Sequence, residues 1–283
     1  MVLPFICQTK SNFDMISKHF FPVIMAFGIF LFAACGGEAP KEEPASTEET
    51  TETPASLSPI TQSAFTSSPD FPGAKLELRG YENGTINFKV SNYELKAQTT
   101  DAPQKMCANS KDGQHIHLII DDQPYAAKYE PSFNYEIADG EHYLLAFLSR
   151  SYHESIKTKD AHVVVKGNFK GNSMMSKAKV DAPMLFYSRP KGEYVGKADT
   201  EKIMLDFYLV NTTLSADGNK VKVAVNGEEK FVLDEWKPIF IEGLPMGDNK
   251  IKLTLVDKDG NVIDAPLNPV ERVFTLKADP VEQ

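Results

Sequence analysis

Five of the six histidines fall within one stretch of the chain: His115, His117, His142, His153 and His162. Neutral imidazole is a ligand for copper and zinc, and two or three of them on one surface make a metal site. His115 and His117 lie in the run His115-Ile-His-Leu-Ile-Ile120, whose alternation reads as a β-strand. Residues two apart on a strand share a face, so both imidazoles point one way while Ile116, Leu118 and Ile120 point to the core. His142 opens a later strand after Gly140, and His153 sits in the loop Ser149-Arg-Ser-Tyr-His-Glu-Ser155. If neighbouring strands bring these two to the first pair, a three- or four-nitrogen site for copper or zinc results. Met106 and Cys107 lie upstream and could add a sulfur ligand. Such a site is expected to lose metal as pH falls through about 6.5, the ordinary imidazole pKa.

Other chemistries find less support. No serine stands in a nucleophile-elbow context, and no glycine-rich phosphate loop is present. Cys107 precedes His115, but a thiol–imidazole dyad also needs an orienting Asn or Asp. The expected function is therefore non-enzymatic binding. Ser149 and Arg150 could hold an anion, since guanidinium pairs well with phosphate. A structural or protein-interaction module with an envelope protein partner is the alternative. The net charge of −9 and the lack of a basic stripe argue against nucleic acid.

The elements that must position these residues are all β. Short runs of alternating polarity recur between turn signals such as Glu82-Asn-Gly84, Asn226-Gly227 and Asp259-Gly260, and no stretch carries a long helical period. The runs fall into two matching sets. Phe88-Lys-Val-Ser-Asn92 parallels Phe207-Tyr-Leu-Val-Asn211, and the strand ending Ile120-Asp121 parallels the one ending Val225-Asn226. Gly140-Glu-His-Tyr-Leu-Leu-Ala-Phe-Leu148 parallels Gly247-Asp-Asn-Lys-Ile-Lys-Leu-Thr-Leu255, which places Asn249 where the first set has His142. About 100 residues and seven strands suit an immunoglobulin-like sandwich. Two tandem immunoglobulin-like β-sandwiches are expected, at 73–178 and 179–283, with the histidine cluster in the first.

The N-terminus supplies an address. Lys18 and His19 precede an apolar run from Phe20 to Ala34 that ends at Cys35-Gly-Gly37, the plan of a secretory signal over residues 1–34. Translation starting at Met15 would give that signal a conventional basic end. Phe32-Ala-Ala-Cys35 resembles a lipobox, so lipidation of Cys35 is expected, with a lipid anchor in the outer membrane and a periplasmic or surface-facing body. Residues 35–72, dense in Glu, Thr, Pro and Ser near their start, read as a disordered acidic linker. The mature chain would hold Cys35 and Cys107 alone, so no internal disulfide supports the fold.

Several longer strings are more specific. Gly113-Gln-His-Ile-His-Leu-Ile-Ile-Asp121, Phe147-Leu-Ser-Arg-Ser-Tyr-His-Glu-Ser-Ile-Lys157, Arg189-Pro-Lys-Gly-Glu-Tyr194, Leu205-Asp-Phe-Tyr-Leu-Val-Asn211 and Ile241-Glu-Gly-Leu-Pro-Met-Gly247 resemble a family of Bacteroidetes lipoproteins with duplicated β-sandwich domains. Such proteins are often labelled phosphopeptide-binding. Leu148-Ser-Arg-Ser-Tyr-His153 is similar to the Ser-Arg-Xaa-His loop of forkhead-associated domains, with one extra residue before the histidine. The resemblance implies an envelope location and no particular reaction.

Overall fold

The computed structural model describes residues 59–280. The signal segment, Cys35 and the linker up to residue 58 lie outside the described residues. In chain order the first strands are β1 (Thr61–Ala64), β2 (Lys75–Glu82), β3 (Thr85–Ser91), β4 (His115–Ile120), β5 (Ala126–Lys128), β6 (Ser132–Asn134), β7 (Gly140–Ser149), β8 (His162–Lys170) and β9 (Ser173–Ala178). There follow β10 (Met184–Arg189), β11 (Gly192–Val195), β12 (Lys202–Val210), β13 (Lys220–Val225), β14 (Glu228–Leu233), β15 (Ile239–Glu242), β16 (Gly247–Val256) and β17 (Val270–Lys277). A four-residue helix at Lys197–Thr200 and a 3₁₀ turn at Ala102–Gln104 are the helical content of the described residues.

The fold is all-β and the strands build two sandwiches. In the first, a sheet of order β2-β3-β6 faces one of order β5-β4-β7-β8-β9. In the second, β1-β15-β12-β10 faces β11-β17-β16-β13-β14. The two follow the same path: β2, β3 and β6 take the places of β10, β12 and β15. Likewise β4, β5, β7 and β8 take the places of β13, β14, β16 and β17. Alternation explains each core. On β4, Ile116, Leu118 and Ile120 point into the first sandwich with Leu144, Ala146 and Leu148 of β7. Val221, Val223 and Val225 of β13 do the same in the second, against Ile251, Leu253 and Leu255 of β16.

The expected linker over 35–72 needs correction at its far end. Thr61–Ala64 form β1, which pairs antiparallel with β15 and so belongs to the second sandwich. Beyond it, Phe65 packs on Phe240 with ring centroids 5.0 Å apart, and Phe71 meets Tyr93 at 4.9 Å. These apolar anchors repay the ordering entropy that the Glu- and Thr-rich part cannot.

The outer faces of β4 and β7 are covered as well. Ile119, Leu145 and Phe147 pack against Met184, Phe186, Tyr208 and Val210 of β10 and β12, making a third apolar cluster along the seam between the sandwiches. Phe147 stacks on Tyr208 at 4.7 Å, a contact that contributes about 0.5–1.5 kcal/mol beyond its burial. Polar contacts fix the seam's register. The Tyr208 hydroxyl donates to the Ile156 carbonyl at 3.1 Å, and the Asp206 carboxylate accepts from the Ser155 amide at 2.8 Å and from Lys157 Nζ at 2.7 Å. Asp206 is 1% exposed. Removing it strands an ammonium and a buried amide together, so Asp206→Ala should lower stability by about 3 kcal/mol in urea unfolding. A loss under about 1 kcal/mol would show that this pair does not hold the seam.

Candidate metal centre

The centre is built from one strand and one loop. β4 places His115 and His117 on its outer face, where the second sandwich covers them, and both are 0% exposed. The expectation of a shared face holds, and burial adds what the strand period could not show. The His115 ring is aimed by its own strand entry: Nδ1–H donates to the Gly113 carbonyl at 2.8 Å. Gly113 has φ +81, and a Cβ there would lie 2.3 Å from the Lys96 carbonyl oxygen, so only glycine fits. That bond fixes the tautomer and leaves the lone pair of His115 on Nε2.

Two more nitrogens meet that lone pair. His117 Nε2 lies 2.9 Å from His115 Nε2, and His153 Nδ1 lies 3.0 Å from it. One ligand atom from each of the three histidines falls within 4.8 Å of the others, and among the described residues this is the cluster that could hold a metal ion. A tetrahedral ion with metal–nitrogen bonds of about 2.0–2.1 Å needs nitrogens about 3.3 Å apart, so the two short pairs must open slightly and a pair as wide as 4.8 Å must close by about 1.5 Å. The Tyr125 ring stacks on His117 at 3.6 Å and 11°, restricting its rotation. Ser188 Oγ sits 3.4 Å from His117 Nδ1, the partner that nitrogen takes once Nε2 turns its lone pair inward.

His153 reaches the cluster because its backbone is left-handed, with φ 68. The turn that holds it is closed by the Arg150 amide on the Glu154 carbonyl and the His153 amide on the Arg150 carbonyl, both at 2.9 Å. Outside the turn, the Ser151 amide donates to Thr99 Oγ1 at 2.9 Å and the Tyr152 hydroxyl to Asp101 at 3.0 Å. A left-handed residue other than glycine costs about 1 kcal/mol or more. His153→Gly relieves that strain while removing a largely buried imidazole, so in metal-free buffer its stability should stay within about 2 kcal/mol of the parent's, and it should bind metal more weakly. A larger loss of stability would mean that the histidine is kept for packing.

His142 does not join. Its Nδ1 bonds Asp121 Oδ2 at 2.6 Å, while Asp121 Oδ1 accepts from the Tyr143 amide at 2.8 Å. The second sandwich makes the same link without histidine: Asn226 Nδ2 donates to Asn249 Oδ1 at 2.9 Å, and Asn226 Oδ1 accepts from the Lys250 amide at 2.8 Å. His142 is thus a turn-fastening residue. Ser149 and Arg150 are committed internally as well. The Ser149 hydroxyl is 0% exposed and faces the Arg150 and Glu154 carbonyls. The Arg150 guanidinium donates through Nη2 and Nη1 to the Pro69 and Ser155 carbonyls and lies 3.5 Å from Glu154, so both terminal nitrogens are held internally, while its buried Nε has no partner. Cys107 lies outside the cluster, and burial pushes its thiol up to about 11. Met106 is exposed, and His162 packs on Tyr208 instead.

Burial changes the expected acid–base behaviour. Desolvation, opposed by the Gly113 bond and reinforced by the positive charge of Arg189, lowers His115 to about 4. His117 and His153 are pushed well below the ordinary imidazole range, foremost by burial. All three are neutral at pH 7, so they offer lone pairs without proton competition. The loss of metal expected as pH falls through about 6.5 is moved to lower pH by the same burial.

The chain is thus a pair of β-sandwiches carrying three converging neutral imidazoles at their seam. No family model matches the sequence, and no curated protein matches it. Among solved structures there is similarity to the fibronectin(III)-like modules of Clostridium thermocellum CbhA, at 16% identity over 34% of this chain and 100% of that chain, with a TM-score of 0.26. The sandwich assignment stands on the strand order of the sheets themselves.

Proposed function

We propose that this chain is a non-enzymatic binding lipoprotein of the cell envelope whose first sandwich takes a copper or zinc ion through His115, His117 and His153. The convergence of the three nitrogens supports this reading most directly. A fixed His115 tautomer and a hydroxyl behind His117 are the outer partners that metal-bound imidazoles use. With nitrogen ligands alone, cupric ion binds more tightly than zinc. Lipidation at Cys35 and an outer-membrane, periplasmic or surface-facing location belong to the same proposal, on the strength of the N-terminal sequence.

Titration calorimetry of the metal-free protein with Cu²⁺ and with Zn²⁺ tests the site. One ion per chain at micromolar affinity or better is expected. Absence of both would remove the metal reading and leave an interaction module in its place.

A further inference from the structure

Beside the histidine cluster lies a second group of side chains that the metal reading does not use. Arg189 ends β10 and is 5% exposed. Its Nη2 donates to the Tyr194 hydroxyl at 2.9 Å, while its Nε and Nη1 are buried without a hydrogen-bond partner. Across from it on β17, Arg272 leaves Nε unpartnered and donates through Nη2 to the Asp122 carbonyl. The Arg272 guanidinium lies over the Tyr187 ring, 5.6 Å from its centroid, and the buried Tyr187 hydroxyl is also unpartnered. Lys191 lies over the Tyr125 ring at 4.1 Å. Strand pairing keeps these together: β11, which follows Arg189 directly, runs parallel to β17 with Gly192 opposite Phe274.

Among the described residues, no carboxylate lies within 4.0 Å of any of these three cations. That is unusual in a chain of net charge −9, and buried guanidinium groups ordinarily find acids. Four buried polar atoms without partners, three of them cationic donors, at one corner of the fold call for an anionic acceptor.

We propose that Arg189, Arg272, Lys191 and the Tyr187 hydroxyl form a binding site for a small oxyanion of the phosphate or sulfate type, at the seam between the sandwiches. Arg189 is the inner anchor. Lys191 and Arg272 are both partly exposed and would meet the ion from the solvent side. A dianion balances most of the local charge, whereas chloride can accept too few of the oriented donors. Anion binding here requires no metal, but the two sites adjoin: Ser188, next to Arg189 on β10, touches His117.

The test is thermal unfolding of the metal-free full chain in sodium phosphate and sodium sulfate against sodium chloride at equal ionic strength. The midpoint should rise with phosphate or sulfate and saturate, and chloride should not reproduce the rise. Phenyl phosphate distinguishes a free ion from an ester: a site this enclosed should prefer inorganic phosphate. Lys191→Gln and Arg272→Gln, at partly exposed positions, should each weaken the effect by about tenfold. Arg189→Met should abolish it and leave the protein at least as stable in chloride, since an unpaired buried charge is gone. Equal midpoints in all the salts at matched ionic strength would overturn the proposal, as would full phosphate stabilisation in Arg189→Met.

Discussion

Metal should stabilise the parent protein and leave a His115→Ala, His117→Ala double variant untouched. At a free metal concentration of 100 times the dissociation constant, the parent gains about 2.7 kcal/mol if the ion binds the folded state alone. His115 is the nitrogen that both others approach, at 2.9 and 3.0 Å, so its loss leaves two imidazoles with no common centre. His115→Ala alone should cost on the order of 100-fold in affinity. Both histidines are buried, so their removal also opens space at the seam and lowers metal-free stability. The readout is therefore each variant's difference between metal-loaded and metal-free unfolding, not its stability as such. His142→Ala serves as the control: its partner is Asp121, and the metal increment should be unchanged. If His142→Ala removes the increment while the double variant retains it, the cluster is not the site.

Acid should destabilise the metal-free protein well above the pH at which its carboxylates titrate. The folded-state pKa of His115 is lowered to about 4, and those of His117 and His153 are lowered well below normal. In the unfolded chain all three return to about 6.5. Above that pH neither state is protonated, and the contribution to stability is complete. As pH falls below about 6.5, the unfolded chain takes up protons that the folded chain refuses, and stability drops by as much as about 1.4 kcal/mol per pH unit for each histidine. For His115 the loss is complete below about pH 4 and is on the order of 3 kcal/mol. Urea unfolding at pH 7, 6 and 5 should show this slope in the parent, and a much smaller one in a variant with Asn at 115, 117 and 153. Equal slopes would mean that the histidines protonate freely in the fold. Bound metal opposes the same transition, so loaded protein should keep its stability further into acid than metal-free protein.

What the sequence shows of this site is one face of one strand. The two-residue spacing of His115 and His117 needs no tertiary information. Burial of that face does not follow from the same spacing, because it depends on Phe186 and Tyr208 arriving from the other sandwich. His153 was legible as a histidine in a loop, but its approach rests on a left-handed backbone held from Thr99 and Asp101, some fifty residues away. His142 carried a readable warning. The matched position in the second set is Asn249, opposite Asn226, and an amide pair there marks a hydrogen-bonded turn. The short strands β5, β6 and β11 lack a full alternating period and were silent for that reason. Arg189 stands in a string that carried a resemblance and no chemistry, and its unpaired state depends on what is absent around it in space.

Because β1 joins the second sandwich, the chain leaves that sandwich, builds all of β2 to β9, and then returns to it. The histidine-bearing sandwich is topologically an insertion, gripped at both ends by its neighbour. Its unfolded form, within an otherwise intact molecule, is a closed loop and not a free tail. Closing a loop of that size removes conformational freedom worth a few kcal/mol, on the order estimated for long loops. That entropy is taken from the open state alone, so the metal-bearing half is harder to unravel in place than the same residues would be on a free end. Any pull arriving along the chain before Thr61 first meets the short β1–β15 ladder. Until that ladder gives way, the imidazole cluster stands outside the line of force.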